Sequence, residues 1–487
     1  DRNAKKFYII SPKYYTTFFI KRGLKMQTKI QTANIDSLEK KYDLVIVGSG
    51  ATGLVSALQA KRLGLKVAVI EKMASLGGNT MRASSGMNAA ETEVQLANGV
   101  IDDFTAFYQE TLQGGGKLND KELLEYFVTH APLAIEWLAK QGIVLSDLTI
   151  SGGMSQKRMH RPQSLAPIGA YLIKGLLARC VAEAIPLFTD TKLVAIKKAA
   201  GKITGITVAG TDGKEVEVGV KALLLATGGF GANANLIAQY QPQLANYKTT
   251  NHAGASGDGL LLAQKLGAQL VDMNFIQVHP TVQQDFDHTY LIGEAVRGEG
   301  AILVNKNGER FVNELATRKR VTAAITALNE NGAYLIFDQT VRQRVKAIEF
   351  YDKVGLVVTG ASLAELATKL ALPKENLSQT LSSWNQAVAT RTDRQFGRKT
   401  GLVTLNQAPY YAIHIAPGIH YTMGGLHINA KTQVLDEDGQ VISGLYAAGE
   451  VAGGLHGNNR IGGNSIAETV VFGLQAGKQA AKYILGK

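Results

Sequence analysis

The sequence predicts an α/β fold in which an open parallel sheet, drawn from both ends of the chain, is interrupted by an α+β insert. Three observations carry this expectation. Residues 43–71 run strand, glycine turn, helix, strand, acid. Two later apolar runs, Lys221–Gly231 (KALLLATGGFG) and Gly444–Glu450, end in a glycine turn and in a second acid. Between them, from Asn274 to Tyr421, lie helical and hairpin patterns with no comparable motif. At 487 residues the chain is longer than a single core usually grows, so two domains sharing one site are expected.

The first unit is the most specific. DLVIVGSGATGLVSALQAKRLGLKVAVIEK reads as a strand over 43–47, then Gly48-x-Gly50-x-x-Gly53 opening a helix to about Leu63, then a strand over 66–70 ending in Glu71. A lone G-x-G-x-x-G is weak, but strand, helix, second strand and acid fall here at the spacing a Rossmann-like unit needs. The glycines let backbone approach a pyrophosphate at a helix N-terminus, and Glu71 is placed to accept from a ribose 2′-hydroxyl. An acid at that point disfavours a 2′-phosphate, which leaves FAD or NAD. The run LGGNTMRASSGMNAA (Leu76–Ala90) then offers small donors at close range, and the two later strand-glycine returns fit a cofactor extended across the sheet. Together they select FAD.

The insert holds the stretch Gly293–Arg318, with Glu294 and Arg297 one helical turn apart, an NKNGER turn between two apolar runs, and Arg318 as a third charged anchor. Taken alone it matches a surface hairpin with salt bridges as well as a buried charge relay. Helices are expected over 319–331 and 378–391. The domain boundaries read as a basic N-terminal extension over 1–41, an FAD-binding domain over 42–273, a capping, substrate-binding domain over 274–421, and the rest of the FAD-binding domain over 422–487.

The net charge of +12 does not point to nucleic acid. Residues 1–41 hold ten Lys/Arg and three Asp/Glu, a balance of +7 that leaves +5 elsewhere. That segment is interrupted by Pro12, Lys13 and Lys21, so it reads neither as a signal h-region nor as a membrane span. One cysteine, Cys180, excludes a disulfide framework and a cysteine-held haem or iron–sulfur cluster; no metal site is expected, and the location reads as cytoplasmic.

Motifs at GSGATGL (48–54), GGNT and SSGMNAA (77–90), ATGGFG (226–231), GDG (257–259), IQVHPT (276–281), EAVRGEGAILVN (294–305), ERFVNE with Thr317–Arg318, GIHYTMGGL (418–426) and AAGEVAGGLHGNNRIGGNSI (447–466) occur in order. In these the chain resembles the soluble fumarate reductase and flavocytochrome c flavoproteins, related to succinate dehydrogenase flavoproteins, 3-ketosteroid dehydrogenases and aspartate oxidases. The resemblance implies non-covalent FAD between the nucleotide and capping domains, contacted by Gly48, Gly50, Gly53, Glu71, Asn79, Thr80, Ser84, Ser85, Thr227, Gly228, Asp258, Glu450, Ser465 and Ile466. It implies that His420 and Arg460 grip one substrate carboxylate and His279 the other end. Arg318 would protonate the alkene carbon after hydride delivery from the flavin, resupplied through Arg297 and Glu294. An arginine acid is awkward, its pKa being normally above about 12, but a second cation in a desolvated site opposes the charged form.

One departure bears on substrate. A Thr commonly precedes the Glu of EAVRG in fumarate reductases and bonds the distal carboxylate, whereas Gly293 stands here. Fumarate, reduced to succinate in anaerobic respiration, leads; a bulkier 2-enoate of the cinnamate, urocanate or acrylate type is the alternative, and a dehydrogenase or oxidase of the steroid or aspartate kind the more distant one. The resemblance also implies a separate electron donor, whether reduced flavin, an NADH-linked protein or an FMN-bearing partner.

Overall fold

The computed structural model describes residues 30–286 and 288–486. The expected basic extension therefore falls, over 1–29, outside the described residues.

The strand Lys41–Val47 is buried along its apolar run and pairs in parallel with Val67–Ile70 on one side and Glu215–Leu225 on the other. The late strand Val441–Ala447 adds to Glu215–Leu225, also in parallel. Registers Val47↔Ile70, Val47↔Leu225 and Ala447↔Leu225 bring four carboxyl ends to one edge, and the crevice beyond such ends is where open α/β sheets hold ligands. Further strands complete an eight-stranded sheet, including an antiparallel ribbon of Thr191–Ala199, Lys202–Gly210 and Glu215–Leu225. The expected strand, helix and strand over 43–71 occur as Lys41–Val47, Ala51–Arg62 and Val67–Ile70.

Close backbone approach dictates the glycine turn. Gly48 sits at φ +110, and a Cβ there would lie 2.2 Å from the Ala226 carbonyl oxygen. The helix Asn464–Leu485 then packs across Ala51–Arg62. Gly473 and Gly477 face the Thr52 and Ser56 carbonyls at Cβ distances of 3.1 and 2.7 Å, and Ser56 Oγ donates to Gly473 O at 2.9 Å. This contact fixes the start of the helix, and with it Arg460 and the 461–463 turn that precedes it, so that Arg460 meets Gln277 of the insert.

A second, six-stranded sheet is drawn wholly from residues 276–422. Its longest strand, Tyr410–Thr422, pairs with Ile276–Gln283, Ala333–Asp338 and Val358–Gly360. The expected helices form as Arg318–Ala327 and Lys374–Ala389. The NKNGER turn closes as expected, with Asn305 N donating to Glu309 O at 3.0 Å, but its second arm does not extend as a strand. Ile302–Val304 pairs instead with Ala333–Asp338, because the second arm turns inward to bury Arg310 and Glu314. Those two side chains meet at 2.8 Å and join Asp393 and Arg398, with the Arg310 and Arg398 guanidiniums 4.6 and 4.8 Å from the Trp384 ring.

Cys180 is fully buried, and burial pushes its thiol up to about 12, as befits a core residue. Among the described residues no helix is long and apolar enough to cross a membrane.

Candidate active site

The crevice at the strand ends is an open cleft with about 890 Å³ of empty space, lined by Gly48, Gly50, Glu71, Asn79, Thr80, Thr227, Gly228, Asp258 and Glu450. Glu71 accepts from Ser49 N at 3.1 Å and Ser49 Oγ at 2.7 Å, which fixes its carboxylate at the turn. Asp258 is held by Lys72 at 2.8 Å, a partner that sequence reasoning passed over although it directly follows Glu71. Thr227 Oγ1 is buried with no hydrogen-bond partner among the described residues, the state expected of a hydroxyl whose partner is a ligand. Burial raises the Glu450 carboxyl to about 7, against the hydrogen bonds it accepts from Thr422. Gly53 lies behind the cleft, where a Cβ would meet Gly48 O at 2.0 Å. Ser84, Ser85, Ser465 and Ile466 are outside this lining. A glycine cradle, a fixed acid beside it and an orphaned hydroxyl fit a dinucleotide such as FAD.

Beyond the cleft, six of the sequence-derived residues converge. Arg318, opening its helix, donates from Nε to Glu294 Oε1 at 2.6 Å and from Nη1 to Gln277 Oε1 at 2.9 Å. Arg460 reaches the same Gln277 oxygen from Nη2 at 2.9 Å. One neutral amide thus holds two guanidiniums side by side. Gln277 was not expected; the signal was its place two residues before His279 on one strand, which puts both on one face.

Arg297 is almost wholly buried. Its Nη1 donates to Glu314 O at 2.5 Å, its Nη2 lies 3.9 Å from Glu294 Oε1, and its Nε and Nη2 have no hydrogen-bond partner among the described residues. Burial, with the neighbouring Arg318, lowers Arg297 to about 10; the same two causes lower Arg460 to about 10. Burial alone would raise the Glu294 carboxyl, but Arg318 and Arg297 together outweigh it and lower Glu294 to about 2, so its charged form is the favoured one.

His279 and His420 lie with ring centroids 5.4 Å apart, edge to face. Burial first, then the arginines, pushes both well below the ordinary histidine value, so both rings are neutral. Thr281 N donates to His279 Nδ1 at 3.3 Å, which assigns the ring proton to Nε2. That Nε2 is buried and unpartnered among the described residues, a donor aimed at something else. His420 Nδ1 is bonded to Thr250 Oγ1 at 2.8 Å.

A second missed set stands behind Arg460. Its guanidinium lies 4.5 Å from the Tyr421 ring; Tyr421 OH donates to Glu468 at 2.6 Å, and His456 Nε2 bonds the same carboxylate at 3.0 Å. Tyr421 belongs to one motif string, His456 and Arg460 to another and Glu468 to none, and only the fold stacks them.

The sheet and cleft define a dinucleotide-binding α/β protein of the flavoprotein type. The FAD binding domain family matches residues 43–466, and the chain belongs to it, in the fumarate reductase branch. It is 48% identical over 452 residues to "NADH:fumarate oxidoreductase" of Klebsiella pneumoniae (strain 342), covering 93% of this chain and 49% of that one. It is 40% identical over 460 residues to "Fumarate reductase (cytochrome)" of Shewanella frigidimarina, covering 94% of this chain and 80% of that one. The chain thus spans about half of the first relative and most of the second. Among solved structures it superposes on the open conformation of a flavocytochrome c3 fumarate reductase with TM-score 0.80 at 38% identity, over 92% of this chain and 80% of that one.

Proposed function

We propose that this chain reduces the C=C bond of an α,β-unsaturated carboxylate, with fumarate its substrate. The observation that carries the reading is a charge imbalance: Arg297 and Arg318 pair with Glu294, while Arg460, beside Arg318 on the Gln277 oxygen, has no ion-pair partner among the described residues, its acidic neighbour Glu450 being raised to about 7. With both histidines neutral, the cluster holds two positive charges in excess, the complement of a dicarboxylate dianion.

FAD, when bound, supplies the hydride. Arg460 and His420 grip one carboxylate and draw electron density from the alkene, while His279, donating from Nε2, takes the other end. Arg318 is positioned by Glu294 and Gln277 to give a proton to the second alkene carbon. Glu294 stays ionised while Arg318 is charged. Once Arg318 has given up its proton, the larger of the two charges holding Glu294 down is gone, and Glu294 can accept a proton from Arg297 and pass it to Arg318. Hydride and proton together saturate the double bond and give succinate.

The capping assignment of residues 274–421 is supported by their separate sheet, whose Gln277, His279 and His420 face Arg460 from the other part of the chain. The electron donor in this reading is NADH-linked, in keeping with the name and greater length of the Klebsiella relative; the lone buried thiol supports a cytoplasmic setting. The gap at Gly293 favours a second reading, a bulkier 2-enoate. Anaerobic turnover with reduced methyl viologen over fumarate, acrylate, cinnamate and urocanate separates the two: fumarate is expected to lead, and faster turnover of a cinnamate overturns the first choice.

A further inference from the structure

Gly293 leaves a defined point in space rather than a void. Its backbone, at φ −60 and ψ 150, is open to any residue, and a Cβ there would lie 3.6 Å from Tyr351 OH and 3.7 Å from Ser84 Oγ, both ordinary contacts. Two hydroxyls from distant segments, one from the helix Ala347–Lys353 and one from the loop after Gly78–Arg82, thus flank the site of the missing side chain. Tyr351 is buried, and its oxygen accepts from Gly293 N at 3.1 Å. Among the described residues this is the one hydrogen bond of that hydroxyl, so its proton has no protein acceptor. A buried O–H donor without an acceptor, bonded to the backbone of the residue that precedes Glu294, calls for an acceptor from a ligand, and an anion suits it best.

We propose that Tyr351 is a specificity-determining residue: its hydroxyl donates to the distal carboxylate of the enoate and so replaces a hydroxyl lost at position 293. The Gly293 N–H polarises that hydroxyl by donating to its oxygen, which makes the O–H a stronger donor. Selection is then for a dicarboxylate over a monocarboxylate of the same length, because a monocarboxylate leaves the Tyr351 donor unpaired. The inference rests on the reading of this site as an enoate site. It differs from that reading in naming which residue distinguishes one acid from another.

The test is binding of succinate and of propionate to the oxidised, FAD-loaded protein by calorimetry, in wild type, Tyr351→Phe and the double variant Tyr351→Phe/Gly293→Thr. Thermal midpoints and FAD occupancy show that each variant is folded. Tyr351→Phe is expected to weaken succinate about tenfold or more while leaving propionate unchanged, since a hydrogen bond to a charged group is lost. Gly293→Thr is expected to restore succinate in the Phe background. Equal weakening of both acids, or none, overturns the proposal. Selective loss of succinate in a protein that does not turn over fumarate leaves the proposal standing and defeats the reaction reading. Fumarate turnover with unaltered succinate binding in Tyr351→Phe defeats the proposal alone, and wild-type protein that binds neither acid defeats both.

Discussion

Two groups of arginines, tied together by hydrogen bonds, obey opposite charge rules. Arg310 and Arg398 face Glu314 and Asp393, two cations against two carboxylates, with every guanidinium nitrogen bonded. Arg297 and Arg318 have Glu294 alone as ion-pair partner, Arg460 has none among the described residues, and Arg297 Nε and Nη2 and Arg460 Nε are left without hydrogen-bond partners there. The first group is complete within the protein, so it serves as a clasp for the insert. The second is incomplete within the protein, and in the proposed reading the dicarboxylate completes it. Hydrogen bonds from Arg297 Nη1 to Glu314 O and from Arg398 Nη2 to Arg297 O, at 2.5 and 2.6 Å, tie the incomplete group to the complete one and hold its cations in place against their own repulsion.

The sharpest way to break the comparison is to remove one charged side chain from each group. Arg318→Ala is expected to lower kcat for fumarate by on the order of 10³-fold while the melting temperature and FAD absorbance stay near wild type. A variant that keeps more than a tenth of wild-type turnover would end the assignment of Arg318 as proton donor. In the balanced group, Glu314→Ala leaves Arg310 with Asp393 alone and Arg398 as a buried charge without a carboxylate partner, and is expected to cost about 3–5 kcal/mol of stability in urea unfolding. If instead it lost turnover at unchanged stability, the clasp would belong to the chemistry.

Smaller effects sharpen the picture. Tyr421→Leu removes the ring beneath Arg460 and is expected to raise KM for fumarate about tenfold, the worth of about 1–2 kcal/mol of cation–π contact, with a smaller change in kcat. The least change is expected from pH. Both histidines are held neutral, so succinate binding should weaken only modestly as pH rises through about 7, where Glu450 beside Arg460 ionises, and further toward about 10, where Arg297 and Arg460 lose charge. A large step near pH 6.5, with tighter binding on the acid side and still present in Glu450→Gln, would mean that a histidine cation holds the carboxylate.

What could be read from the sequence was what local spacing encodes. Gly48, Gly50 and Glu71 lie in one strand–turn–helix–strand unit, so their geometry follows from their order. Glu294 and Arg297 share a helical turn, and Arg318 opens the next helix, so their closeness to one another was foreseeable once the turn at 305–309 was recognised. The NKNGER hairpin misled at its second arm because alternation of apolar residues carries no information about Arg310 and Glu314 folding inward to Asp393 and Arg398, some 80 residues further on. Gln277 escaped notice because an amide between two guanidiniums has meaning only once the strand Ile276–Gln283 faces the loop at Arg460. Tyr351 had no signal at all: nothing in FYDKVG marks a hydroxyl that lies against Gly293.

The pairing of Val441–Ala447 with Glu215–Leu225, and the crossing of Asn464–Leu485 over Ala51–Arg62, also govern the order in which the protein can be made. During synthesis the glycine turn at 48–53 leaves the ribosome early, but Glu450, Arg460 and the helix that clamps the turn leave last. A nascent chain ending before residue 441 has the start of the cofactor cleft and an already translated insert, yet lacks one wall of the cleft and one of the three substrate-facing arginines. Cofactor loading and assembly of the anion site are therefore late, linked events, and the same segment that finishes the sheet also makes the protein competent to bind.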